Sequence, residues 1–158
     1  MARFHQSFRV GAPIEAVRAF HASPAALRAL TPPPVIVQLH RFGEMREGME
    51  AEFTLWLGPL PIRWTARHEN VGPEGFDDVL VEGPMAAWRH QHRFWEEPDG
   101  ASRVEDTIDY AHPPGWAGLW TRLMFGALAL RGTFFYRQLA TRRGVRRLQE
   151  DLQNRQVR

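Results

Sequence analysis

The sequence predicts an α+β fold in which a curved antiparallel sheet of about seven strands wraps around a long C-terminal helix, with two short helices after the first strand. Three observations carry this. Short runs of alternating polar and apolar residues fill the first two thirds of the chain. Turn residues separate these runs at regular spacing. The last segment, Ala117 to Leu152, then changes to helical periodicity.

The first strand is Phe4, Gln6, Phe8 and Val10 alternating with His5, Ser7 and Arg9, and Gly11 and Pro13 end it. A short helix starts at Ala12-Pro13-Ile14, with proline near its first turn. Ser23-Pro24 opens a second, with Ser23 as its N-cap, and Pro32-Pro33-Pro34 stops it. Strands are expected over Val35 to Phe42, Met49 to Leu57, Ile62 to Val71, Phe76 to Glu82, Ala87 to Trp95 and Ser102 to Tyr110. The intervening turns contain Gly58-Pro59, Gly72-Pro73, Gly83-Pro84 and Pro98-Asp99-Gly100. A curved sheet must bury one face, and the final helix is its only large apolar partner.

That helix is read from its spacing. Trp120, Leu123, Ala127, Leu130, Phe134, Thr141, Val145, Leu148 and Leu152 recur mostly three and four apart, so one stripe faces inward. Its length, roughly 50 Å at 1.5 Å per residue, exceeds what a small sheet covers. Gly126 and Gly132 each cost about 1 kcal/mol relative to alanine in a helix interior. They stand either for a bend or close approach, or for tight packing on the sheet. Arg137, Arg142, Arg143, Arg146 and Arg147 fall in the second half, where cations suit the helix dipole, and are expected to form a solvated face. Arg122 and Arg131 leave no uncharged run of about 18 residues, so no stable membrane insertion is expected.

The totals bound the rest. A chain of 158 residues fits one domain, 1–158, with a single sizeable core. There is no cysteine, which excludes disulfides and thiol chemistry, and no lysine, which excludes a side-chain Schiff base. The net charge of only +2 is a weak argument for a nucleic-acid partner, and none is expected. No apolar signal core precedes Val10, so a cytoplasmic location is expected. Six tryptophans and ten phenylalanines supply surface for a core or a pocket wall.

This order of elements, together with Gly83-Pro84, Trp88, His90, His92, Phe94, Asp106 and Tyr110, resembles the SRPBCC superfamily. That is the START-like, birch-pollen-allergen-like helix-grip fold. The resemblance is closest to its bacterial members named polyketide cyclase/dehydrase or lipid-transport proteins, and it covers nearly the whole chain. It implies a hydrophobic cavity between sheet and long helix, for a lipid, polyketide, quinone-like or similar molecule. It does not imply one activity, because the fold hosts binders, transporters and enzymes.

Strand alternation places the candidate site residues. Trp88, His90, His92 and Phe94 share a face, as do Trp64, Ala66 and His68, then Phe53, Leu55 and Leu57, then Asp106, Ile108 and Tyr110. Phe76, Asp78, Leu80 and Glu82 form a further set whose facing Val79 and Val81 leave open. The expected ligand wall is Phe53, Leu55, Trp64, His68, Trp88, His90, His92, Phe94, Asp106, Ile108 and Tyr110, with Leu123, Ala127, Leu130 and Phe134 from the helix. His90, His92, Asp106 and Tyr110 are the candidates for any catalysis.

Three roles fit the histidines: a satisfied structural cluster paired with Asp106, ligand recognition or general acid/base work, and a metal site built on His90-x-His92. A lone His-x-His is a weak metal signal, so no metal or cofactor is expected. Gly58 to Pro61 and Pro113 to Trp116 either gate the cavity or let Leu60 and Trp116 pack on the helix. A homodimer through exposed aromatics is open. Binding or transport of a hydrophobic small molecule leads. A cyclase/dehydratase-like enzyme using the His/Asp/Tyr set is the alternative, and an interaction module with a filled core is the third. On the leading reading, His90→Ala and Asp106→Asn weaken binding more than stability.

Overall fold

Short connections fold the chain back on itself one strand at a time. In the computed structural model, which describes residues 1–156, β1 (Ala2–Val10) leads into α1 (Ile14–His21) and α2 (Pro24–Ala29). There follow β2 (Ile36–Arg41), β3 (Glu50–Leu57), β4 (Leu60–Gly72), β5 (Gly75–Glu82), β6 (Ala87–Glu96) and β7 (Ser102–Ala111), then α3 (Gly115–Phe125) and α4 (Ala127–Gln156). Each of β2 to β7 pairs antiparallel with the next, and β1 joins β7, giving one seven-stranded sheet in the order β1-β7-β6-β5-β4-β3-β2. The tightest returns are Leu57 paired with Leu60 and Gly72 with Gly75. Gly75 has φ +138°, and a Cβ there would fall 1.8 Å from the His92 carbonyl oxygen, so glycine alone lets β5 run this close to β6. Ser23 Oγ caps α2 by accepting from the Ala25 N–H at 3.2 Å, with Pro24 at the first helical position.

Two apolar clusters join the sheet to the helices. Phe8, Val10, Val17, Phe20, Phe94, Val104 and Val145 connect β1, α1, β6 and β7 to the second half of α4. Trp64, Ala66, Ile108, Tyr110, Leu130 and Phe134 connect β4 and β7 to its first half. Gln6 Nε2 donates to the Phe134 carbonyl at 3.2 Å, tying β1 to the same helix.

The long C-terminal helix has one break, at Gly126, where ψ is 173°. A Cβ at this position would lie 2.2 Å from the Arg122 carbonyl oxygen, so Gly126 is there for the bend. At Gly132 a Cβ would meet nothing within 4 Å, and neither tight packing nor a bend accounts for that glycine. The break resets the inward stripe. Leu130, Phe134, Thr141 and Val145 are buried. Leu123 is 76 % exposed and Ala127 is exposed, against expectation, because they flank the break. Leu152 is exposed because residues 150–154 have nothing packed over them. No helix among the described residues is long and apolar enough to cross a membrane.

Candidate functional site

A cavity of about 450 Å³ lies between the sheet and the helices. Its apolar wall comes from Ala51, Phe53, Leu55, Ile62, Trp64 and Trp88 on the strands, and from Leu123, Met124, Phe125, Leu130 and Phe134 on α3 and α4. Pro33, Pro34 and Leu123 form an exposed rim. Leu60 and Trp116 are both exposed and neither lines the cavity, so the two loops expected near the mouth do not form it.

One end of the cavity is polar, and strand register explains how. His68 pairs with Asp78 across β4 and β5, Asp78 with His90 across β5 and β6, and His92 with Asp106 across β6 and β7. Direct and diagonal neighbours on one sheet face are within side-chain reach. A continuous chain results. His68 Nδ1 donates to Asp78 Oδ1 at 2.7 Å, and His92 Nε2 to Asp78 Oδ2 at 3.3 Å. His92 Nδ1 lies 2.9 Å from Asp106 Oδ1 as an ion-pair contact, and His90 Nε2 donates to the same oxygen at 2.9 Å.

Burial opposes charge on both carboxylates, but hydrogen bonds from His68 and His92 hold Asp78 well below the usual carboxylate range. The hydrogen bond from His90 and the close His92 ring do the same for Asp106. The nitrogens facing these ionised groups therefore carry protons. Burial also lowers His92, but its contacts with Asp106 and Asp78 outweigh this and raise it above its ordinary value. His92, with a carboxylate at each nitrogen, is the imidazolium of the cluster. His90 differs: burial, then the neighbouring His92, pushes it down to about 4. It is neutral at neutral pH, with its proton on Nε2 and a lone pair on Nδ1. His21 is also lowered to about 4, chiefly by burial, and its Nδ1 donates to the Val17 carbonyl at 2.8 Å. His68 Nε2 is buried with no partner.

Ten of the expected wall residues line the cavity: Phe53, Leu55, Trp64, His68, Trp88, His90, His92, Leu123, Leu130 and Phe134. Phe94, Asp106, Ile108, Tyr110 and Ala127 do not. Phe94 packs on His21, with ring centroids 4.8 Å apart. Ile108 and Tyr110 belong to the core, because α4 lies directly on the β1 and β7 side of the sheet. Asp106 sits behind His90 and His92. Among the ionisable wall residues, the sequence reading left the facing of Asp78 open and missed His21 and Arg137. Each carried a signal. Asp78 shares a face with Phe76, His21 ends the first short helix, and Arg137 falls three residues after Phe134 on the inward stripe rather than on a solvated face. Its guanidinium carbon stands 5.0 Å from the Phe134 ring centroid. Burial lowers its pKa, against the pull of Asp106 and Asp78.

Asp78, His90 and His92 present ligand atoms within 4.8 Å of one another, so they are the residues that would hold a metal ion. His92 has both nitrogens turned to carboxylates, and a metal would have to displace one of these contacts.

A seven-stranded antiparallel sheet, two short helices after its first strand and a long C-terminal helix over the cavity together decide the fold. This is the helix-grip fold. Solved structures superimpose on most of the chain. The Zhui aromatase/cyclase from a Streptomyces species matches with a TM-score of 0.71 at 17% identity, over 92% of this chain and 94% of that one. Ara h 8.0201 matches with a TM-score of 0.57 at 13% identity, over 89% and 97%. A protein from Corynebacterium glutamicum named a nucleoside-diphosphate sugar epimerase matches with a TM-score of 0.66 at 27% identity, over 89% of this chain. The present chain spans only 28% of that protein's length. No protein-family model matches the sequence. No curated protein matches it either.

Proposed function

We propose that the protein binds a hydrophobic small molecule, of lipid, polyketide or quinone-like character, between its sheet and its C-terminal helices. The observation that carries this is the cavity of about 450 Å³ with its aromatic and aliphatic wall. Its size is within the range of ligand pockets, and apolar walls with a few convergent polar groups are what such pockets use. A filled core would have left no such space.

Titration with the neutral fluorescent probe N-phenylnaphthylamine tests the reading. The wild-type protein is expected to bind one probe per chain. Ala51→Trp, which pushes a large ring into the space beside Phe53 and Trp64, is expected to abolish binding while the far-UV spectrum stays that of the wild type. Absence of wild-type binding, or equal binding by a folded Ala51→Trp protein, would overturn it.

A cyclase/dehydratase-like activity is the second reading, favoured by His90. Its Nε2–H is held by Asp106, and the Nδ1 lone pair is the one available to a bound molecule, which is the arrangement of a general base. The fold neighbour named an aromatase/cyclase makes this worth testing. Proton exchange from a bound carbonyl compound, lost in His90→Ala while probe binding persists, would establish it.

A further inference from the structure

Arg137 is a cation on the inner stripe of a helix, among Leu130, Phe134 and Thr141, and it lines the cavity. Among the described residues no carboxylate lies within ion-pair distance of it and no hydrogen bond engages its guanidinium. On the same helix Arg142 donates to the Arg9 carbonyl at 3.0 Å and Arg146 pairs with Glu150 at 3.7 Å, while Arg131, Arg143 and Arg147 are exposed to solvent, as Arg137 is not. The two carboxylates that attract Arg137 through space, Asp78 and Asp106, are already held by His68, His90 and His92. A guanidinium has five N–H donors in a planar fork, and turning it into an apolar space without an acceptor is unfavourable.

The rest of the cavity is graded along its length. On β4 the wall runs from Trp64 to His68, on β6 from Trp88 to His92, and on the C-terminal helices from Phe125 to Arg137. Trp64, Trp88 and Phe125 touch one another at the far end, with centroids 5.4 to 6.3 Å apart. The cavity is thus apolar at one end and polar at the other, where the carboxylates face histidines and Arg137 is the cation left without one.

We infer that the ligand is an amphipathic acid, whose carboxylate is taken by the Arg137 guanidinium while its hydrocarbon or aromatic body fills the Trp64, Trp88 and Phe125 end. This rests on the binding reading above and narrows it. A carboxylate matches the guanidinium fork with two parallel charge-assisted hydrogen bonds, which a hydroxyl or ester cannot form. The His90 Nδ1 lone pair is left to accept from a hydroxyl of the same molecule.

Displacement of N-phenylnaphthylamine by matched ligands decides it: dodecanoic acid against dodecanol, and naphthoic acid against its methyl ester. Wild-type protein is expected to favour each acid by about tenfold or more. Arg137→Gln is expected to remove that preference, each acid falling to the affinity of its neutral partner, and Arg137→Lys to restore part of it. Equal affinity for acid and neutral partner in the wild type overturns the inference while leaving the binding reading intact. So does an acid preference that survives Arg137→Gln. Probe binding with no displacement by any of the four also overturns it. Failure to bind even the probe removes the binding reading, and this inference with it.

Discussion

His92 has a carboxylate at each ring nitrogen, and this decides what substitutions nearby should do. Asp106→Asn removes a charge from behind the cavity wall and leaves the imidazolium with Asp78 alone, at the longer contact of 3.3 Å. Breaking a buried pair this way costs about 3 kcal/mol or more, so urea unfolding is expected to show a large loss with little change in probe affinity beyond it. His90→Ala removes a wall residue but leaves the contacts of His92 with Asp78 and Asp106. It is expected to weaken ligand binding more than it lowers stability. The sequence suggested one outcome for both substitutions because alternation says which way a residue points, not whether another side chain stands in front of it. Arg137 was misread for a related reason. Among five arginines in the last half of the helix, a solvated face was the natural reading, yet helical spacing already placed this one on the stripe with Leu130 and Phe134.

At the level of elements, the strands were legible almost to the residue, since glycine and proline mark every return of the sheet and period-two alternation fills what lies between. The break between α3 and α4 was only half legible. Gly126 announced a weakness in the helix, but the clash that makes glycine necessary involves a carbonyl one turn back, which no side-chain pattern reveals. Gly126→Ala is expected to destabilise by about 1–3 kcal/mol, as steric overpacking does, and to alter probe affinity because Leu123, Met124 and Phe125 precede the break. Gly132→Ala, with open space around it, is expected to stabilise by up to about 1 kcal/mol. Chemical denaturation of the two variants side by side checks the contrast. On the outer face of β5, Asp77 is fully buried beneath Arg89 and Arg93, with contacts at 2.8 and 2.7 Å. Asp77→Ala is expected to cost about 2 kcal/mol or more and to leave the affinity of the folded protein unchanged, since the residue faces away from the cavity.

Across the whole molecule the buried histidines set how stability follows pH. His21 and His90 are lowered to about 4 in the folded chain, from an ordinary 6.5. Between these values the unfolded chain binds more protons, so their contribution is full above about pH 6.5 and is lost as pH falls toward 4. The raised His92 works the other way: its contribution is full below about 6.5 and is lost as pH rises through its folded value. Asp78 and Asp106 add stability above their ordinary 3.8 that disappears in stronger acid. The melting temperature is therefore expected to peak near pH 6.5 and to fall on the acid side well before carboxylates ordinarily titrate. Thermal melts followed by circular dichroism check this, and a flat profile down to pH 4 would contradict it. The pairing of β1 with β7 bears on a different property, the order in which the molecule assembles. Ala2 lies against Tyr110 and Val10 against Ser102, so among the described residues β1 has its only partner about a hundred residues downstream. The hairpins from β2 to β7 form from near neighbours, whereas β1 waits with its edge unpaired until β7 emerges. Closure of the sheet and docking of α4 are thus late, shared events, and the cavity comes into being with the last long-range contacts rather than with the first.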